Sequence, residues 1–368
     1  MLSLLIPNLP TTEQLLPWLQ RIDHAKWYTN FGPLIQEFES KLIKLFAPPS
    51  NIYLTTTSSG TTALELALLA LNLPPNQVAL LPAFTFPATA TAIQRVGLRP
   101  LFTDIDKHNW LLTPDIARQV LQQMTFDIVV PVATFGCPQP VDEWDKFSEE
   151  TGIPVLIDAA AAFGFQAIGQ HCLVTFSFHA TKPFGIGEGG LVVARSESLI
   201  NRIRNLSNFG IDNGIIMQSG NNAKLSEYHA AVGLAQLERW TQIIESRQTI
   251  WQTYKKYLPI LSPKLSWQNM PANTIPATLS IKLDNVDIAA RMMNLEKCGI
   301  ETRRWYYPPL YKQPAFSEIQ LIAPDGSHYL TVTEKIADCL LGLPFHTYLK
   351  EDNIKYICNN LMLNIVIS

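Results

Sequence analysis

The chain has 368 residues, 47% of them hydrophobic, which is enough to bury a large core and suggests two closely associated units rather than one. A net charge of −3 leaves no basic stripe for nucleic acid and no acidic tail. Apolar runs are too short or too interrupted by proline to span a membrane, Met1 to Pro7 lacks the charged start of a signal peptide, and Cys137, Cys172, Cys298, Cys339 and Cys358 are scattered singly, as in a reduced cytoplasmic protein.

In chain order, a strand-like run at Asn51 to Leu54 precedes a helical run near 61–72, a strand near 77–81 and a helix near 86–95. Strand-like runs follow near 99–103, 127–132, 154–157, 173–178 and 191–194. This alternation predicts a mostly parallel sheet covered by helices. A long amphipathic stretch from about Leu225 to Tyr257 leads to one strand-like run, Thr278 to Leu283, and to helical runs near 287–298, 331–341 and 351–362. The expectation is an α/β protein with a large domain over 1–245 and a smaller C-terminal α/β domain over 246–368, the N-terminal segment packing on the latter.

Three segments carry candidate chemistry. Thr57-Ser58-Ser59-Gly60-Thr61-Thr62 opens the first helix, so hydroxyls and free backbone amides converge at a positive dipole end suited to a phosphate. An ordinary N-cap has the same local pattern. Pro154 to Ile157 reads as a strand buried on both faces that delivers Asp158 to the carboxyl edge of the sheet, where open α/β sheets bind ligands. A buried acid there wants a cationic partner such as a protonated pyridine nitrogen, or else it caps a turn. Lys182 closes Phe176-Ser177-Phe178-His179-Ala180-Thr181, ahead of Gly187-Glu188-Gly189-Gly190. A lysine ending a buried strand beside a glycine-rich turn has the setting to hold an aldehyde cofactor as a Schiff base.

Two other motifs fail on context. Gly185 to Gly190 has the spacing of a dinucleotide fingerprint, but that motif requires a helix next, and Leu191-Val192-Val193-Ala194 reads as a strand. The seven histidines and five cysteines include no metal-binding pair at ligand spacing, so no metal is expected.

Together these segments resemble the DegT/DnrJ/EryC1/StrS sugar aminotransferases, a branch of the fold-type I pyridoxal phosphate (PLP) enzymes. Pro82-Ala83-Phe84-Thr85-Phe86, Asp104-Ile105-Asp106 and Leu225-Ser226-Glu227-Tyr228-His229-Ala230-Ala231 extend the likeness over nearly the whole chain. The resemblance implies that Lys182 bonds PLP and moves a proton, Asp158 pairs with the pyridine nitrogen, and Phe86 stacks on the ring. It further implies that Gly60, Thr61 and Ser177 hold the phosphate, while Asn222 reaches the phosphate of a neighbouring subunit in a homodimer with shared sites. Otherwise Phe86 is a core phenylalanine, Ser177 a strand serine and Asn222 a loop asparagine.

The implied reaction moves an amino group from an amino acid, L-glutamate by resemblance, to a keto group of a nucleotide-linked deoxysugar in amino-sugar or surface-polysaccharide biosynthesis. Alternatives are a PLP-dependent sugar dehydratase, against which Lys182 argues, and a PLP-binding regulatory homologue without turnover. Two positions depart from the family pattern. Ala161 stands where most relatives carry glutamine or histidine, and Lys224 where arginine is commoner. Glu301-Thr302-Arg303-Arg304-Trp305-Tyr306-Tyr307-Pro308 sets arginines beside aromatics, fit for a diphosphate and a base or for an edge strand with solvated charges.

Overall fold

A computed structural model describes residues 1–46, 51–260 and 265–362. Seven strands make the main sheet: β1 (Tyr53–Thr57), β2 (Val78–Pro82), β3 (Arg99–Thr103), β4 (Ile128–Val129), β5 (Leu156–Asp158), β6 (Leu173–Ser177) and β7 (Gly190–Ala194). Their order is β3-β2-β4-β5-β6-β7-β1, with parallel bridges Val129 to Val155 and Val132 to Asp158 joining β4 to β5. Only β7 runs against the rest, antiparallel to both β6 and β1. The expected strand at 191–194 is therefore present directly after the glycine turn.

Successive strand residues point to opposite faces of the sheet, and both faces are buried. Leu80, Leu101, Val129, Ile157, Val174 and Val193 join one apolar cluster. Their neighbours Leu81, Phe102, Ile128, Leu156, Leu173 and Val192 join another. The covering helices are α1 (Thr12–Ala25), α2 (Pro33–Phe46), α3 (Gly60–Ala70), α4 (Pro87–Arg95), α5 (Pro114–Leu121), α6 (Val141–Thr151), α7 (Glu197–Ser207) and α8 (Glu227–Tyr257). Helices α3, α4 and α7 cover the second face; Phe38 of α2, Trp144 of α6 and Leu234 of α8 fill the first. Helices α1, α2 and α5–α7 fall outside the helical runs expected from the sequence. A short hairpin, β8 (Ile211–Asp212) and β9 (Ile215–Ile216), leaves Ile215, Ile216 and Met217 exposed.

Helix α8 has 31 residues and is about 46 Å long, so its start packs on the main sheet while Ile250, Trp251 and Tyr254 reach a separate cluster. That cluster lies on an antiparallel sheet of β10 (Leu265–Trp267), β11 (Ser280–Leu283) and β12 (Leu340–Gly342), ordered β10-β11-β12. Helices α9 (Ile288–Lys297), α10 (Thr331–Cys339) and α11 (Glu351–Met362) accompany it. The helix expected over 331–341 stops at Cys339, because Leu340 to Gly342 pair with Lys282 to Ser280 and strand pairing overrides the local pattern. Leu2 bridges Ile300, and the Phe345 amide donates to the Leu4 carbonyl, so the N-terminal segment lies on this part of the molecule. The chain then returns: Leu321 bridges Phe102 and covers the β3 edge, and Leu310 and Phe316 join a main-sheet cluster. Among the described residues, no helix is long and apolar enough to cross a membrane.

Candidate active site

The carboxyl ends of β1, β5 and β6 face the same edge of the main sheet. Strand β5 ends on Asp158, which is 4% exposed. Its Oδ1 accepts the Ala160 amide at 3.1 Å, so it does cap a turn, and its Oδ2 accepts the Thr89 hydroxyl at 2.7 Å. Beyond β6 the chain turns tightly, with the Lys182 amide donating to the His179 carbonyl and the Ile186 amide to that of Phe178. Burial pushes the Asp158 carboxyl above its ordinary range; the bonds from Thr89 and Ala160 and the charge of Lys182 oppose this. Burial lowers the Lys182 ammonium, and the Asp158 charge opposes that. The two groups thus act on one another in a poorly hydrated space.

Beside them, Ser59 caps α3, its hydroxyl accepting the Thr62 amide at 3.1 Å. This is the ordinary cap, and it leaves the Gly60 and Thr61 amides at the helix mouth. A Cβ on Gly60 would lie 2.6 Å from Ser177 Cβ, so only glycine lets the helix start approach the end of β6 this closely. A Cβ on Gly190 would strike the Ser59 carbonyl, holding the cap against β7 in the same way. Phe86, immediately before α4, is 57% exposed and not a core phenylalanine, unlike fully buried Phe84. An anion cradle, a buried acid, a lysine of lowered pKa and an uncovered aromatic face together fit PLP, and the fit rests on the missing Cβ at Gly60.

Over residues 11–362 the sequence matches the DegT/DnrJ/EryC1/StrS aminotransferase family. The chain belongs to this family. It is 31% identical to a dTDP-4-amino-4,6-dideoxy-D-glucose transaminase of Shigella dysenteriae, covering 96% of each chain. Identity to a UDP-2-acetamido-2-deoxy-3-oxo-D-glucuronate aminotransferase of Pseudomonas aeruginosa is 28%, over 89% of each. Among solved structures, DesI crystallised in the presence of its TDP-sugar product superposes with a TM-score of 0.86 at 30% identity, covering 98% of this chain and 92% of that one. The protein is accordingly a PLP-dependent aminotransferase with the fold-type I architecture expected from its motifs.

Asn222 is exposed; its Oδ1 accepts Lys224 Nζ at 2.9 Å, and Lys224 also donates to Asn208 Oδ1 at 2.8 Å. Asn222 thus lies in a polar knot with Asn208 and Lys224, and the carbonyl of the next residue, Ala223, accepts the Ser58 amide at 2.8 Å. Burial lowers the Lys224 pKa. Ala161 is half-buried in the turn after Asp158 and offers no side-chain donor there.

Several site residues escape sequence reasoning. Thr89 touches Asp158 across 69 positions. Tyr306, stacked on Phe135 with ring centres 5.1 Å apart, feels the charges of both Asp158 and Arg303. The segment Leu5 to Asn8 walls a cavity of about 20 Å³ together with Lys182, Arg247 and His346, room for about one water. Asn8 clamps that segment, taking Arg239 on its side-chain oxygen at 2.7 Å and donating to Thr347 at 2.9 Å. Only the Arg303-to-Tyr307 cluster carried a readable signal, arginines next to aromatics.

Proposed function

We propose that this aminotransferase moves an amino group from L-glutamate to a keto group of a nucleotide-linked deoxysugar. The observation that carries the reading is the mutually perturbed Asp158 and Lys182 pair beside the Gly60 and Ser177 cradle. In it, the Gly60 and Thr61 amides and the Ser177 hydroxyl hold the cofactor phosphate, Phe86 covers the ring, and Asp158 retains a proton on the ring nitrogen. When bound, PLP supplies an aldehyde carbon that carries nitrogen and a ring into which negative charge spreads.

The remaining work falls to this chain's own groups. Burial lowers the Lys182 pKa, so a larger share of Nζ is free amine near neutral pH, ready to take a proton from the substrate carbon bearing nitrogen and return it. Asp158, bonded through both oxygens, is held in one orientation. The relatives' names supply the acceptor class: dTDP-sugar, UDP-sugar and GDP-perosamine chemistry all occur among them.

The same reading places Asn222 at the phosphate of a second copy's site in a cytoplasmic homodimer. The exposed apolar hairpin at Ile215 to Met217, close in sequence to Asn222, supports such a contact. It also takes 1–245 as the cofactor-holding unit and 246–368 as the smaller one; of these, 47–50, 261–264 and 363–368 lie outside the described residues. Separate apolar clusters support the division, although Leu310 to Leu330 pack back on the main sheet.

The test is spectroscopic, followed by a screen. Adding glutamate to the PLP-loaded protein should shift its visible absorbance band, and keto-sugar nucleotides should then restore it. An unchanged band would identify a PLP binder without turnover, and restoration by cyclitol ketones alone would replace the sugar acceptor.

A further inference from the structure

We infer that Thr89 is a positioning residue that keeps Asp158 an oriented carboxylate, through a buried hydroxyl chain running from Thr85 to Thr89 to Asp158. The inference rests on the role proposed for Asp158. Thr89 Oγ1 lies 2.7 Å from Asp158 Oδ2 and 3.0 Å from Thr85 Oγ1. Thr85 and Thr89 are 0% and 1% exposed, so water does not compete for these contacts.

An ionised carboxylate only accepts hydrogen bonds, so the Thr89 hydrogen must point at Asp158. Its lone pairs are then open, and Thr85 must be the donor in the bond between the two hydroxyls. A helical threonine commonly turns its hydroxyl onto a carbonyl three or four residues back. Thr89, in the first turn of α4, turns it onto Asp158 instead. Each Asp158 oxygen thereby receives one donor from the fold, Thr89 on Oδ2 and the Ala160 amide on Oδ1, and keeps a lone pair for a cationic ligand group.

The charge balance gives Thr89 its leverage. Burial alone pushes Asp158 toward the neutral acid, which could not keep a ring nitrogen protonated, and the Thr89 bond is the first force opposing that push. The other titratable groups acting on Asp158 are Lys182, which favours the carboxylate, and the Tyr306 phenol. Burial raises the Tyr306 pKa, so the phenol stays neutral near pH 7, and Arg303 acts on Tyr306. Removing the Thr89 hydroxyl must therefore raise the Asp158 pKa.

Thr89→Val removes the hydroxyl at nearly constant volume, and Thr89→Ser keeps it. Two measurements apply: the PLP dissociation constant of each protein across pH, and the carboxyl ¹³C titration of Asp158 in the apoprotein. Thr89→Val should move the Asp158 midpoint upward and weaken PLP binding about 10- to 100-fold on the acid side, the size expected for a lost bond to a charged group, with recovery as pH rises. Thr89→Ser should follow the wild type. Should the valine variant not fold, Thr89→Ala deletes the same hydroxyl and is read on the same profiles. An unmoved midpoint in the hydroxyl-free variant, or equal pH-independent losses in the valine and serine variants, would overturn the inference. Asp158→Asn separates the two levels. If it binds PLP and turns over as wild type does, the proposed role of Asp158 fails; if it is crippled while the valine variant is normal, only the Thr89 inference fails.

Discussion

Gly60→Ala tests whether the helix start is built to meet a phosphate. The added Cβ would stand 2.6 Å from Ser177 Cβ and 3.1 Å from Ser177 Cα, closer than side-chain carbons pack, so the two must part by several tenths of an ångström. No rotamer change can relieve it, because the colliding atoms are Cβ and backbone. Ser177 cannot yield alone, since it pairs with Gly190 across β6 and β7, and the next amide, Phe178, donates to Gly189. The start of α3 must retreat instead. Overpacking of this kind costs about 1–3 kcal/mol, so the apoprotein should melt a few degrees lower. The amides and hydroxyl that converge on the phosphate would separate by the same distance. Losing one charge-assisted bond costs about 1.5–3 kcal/mol, which is roughly a 10- to 100-fold weaker PLP dissociation constant. Fluorescence titration of apoprotein with PLP measures the affinity, and calorimetry the melting. Wild-type affinity in a variant of lowered melting temperature would show that Gly60 serves packing alone; an unchanged melting temperature would refute the steric argument itself.

Lys182→Ala should fold and still take up PLP through the phosphate cradle, with turnover abolished; near-normal transamination would sink the assignment. Burial lowers the Lys182 pKa, so between that value and about 10.4 the unfolded chain holds a proton the folded chain has released, and apoprotein stability from this site rises with pH across the window. In Lys182→Met that rise should disappear from melting temperatures recorded between about pH 6 and 10. Asp158→Asn should slow amino transfer by orders of magnitude and, because the Asp158 charge raises the Lys182 pKa, move acylation of Lys182 in the apoprotein to lower pH; an unmoved acylation profile would contradict the coupling. Ala161→Gln should tighten PLP binding by supplying an amide donor, and loss of cofactor uptake would mean the space is already filled. Mixing Lys182→Ala chains with chains carrying a disabling acidic substitution at Asn222 should restore roughly a quarter of wild-type activity if sites are shared between copies; background activity despite demonstrated exchange would refute that.

The parts of the site legible in advance are those whose chemistry and position share one segment. An apolar strand must deliver its next residue to the sheet edge, which located Asp158, and the glycines after Lys182 marked the turn leading into β7. The hydroxyl and glycine run at Thr57 to Thr62 announced a helix start whichever role it served. Some unread elements also had signals: Thr11 and Gln14 form a capping box before α1, Thr113 and Pro114 open α5, and Ser196 caps α7.

By itself the sequence determined the strands of the main sheet and its helices α3, α4 and α8, the edge at which its acid, lysine and helix start emerge, and the family, because periodicity, capping and turn chemistry act over a few residues. Tertiary structure alone decided that Thr89 donates to Asp158, that Tyr306 lies within its field, and that Leu340 to Gly342 become a strand. It also decided that the N-terminal Leu5 to Asn8 and the C-terminal His346 wall the cavity at Lys182. These contacts join residues tens to hundreds of positions apart, and nothing in either partner's local pattern specifies the other until burial removes water and each polar group must find its donor or acceptor within the fold.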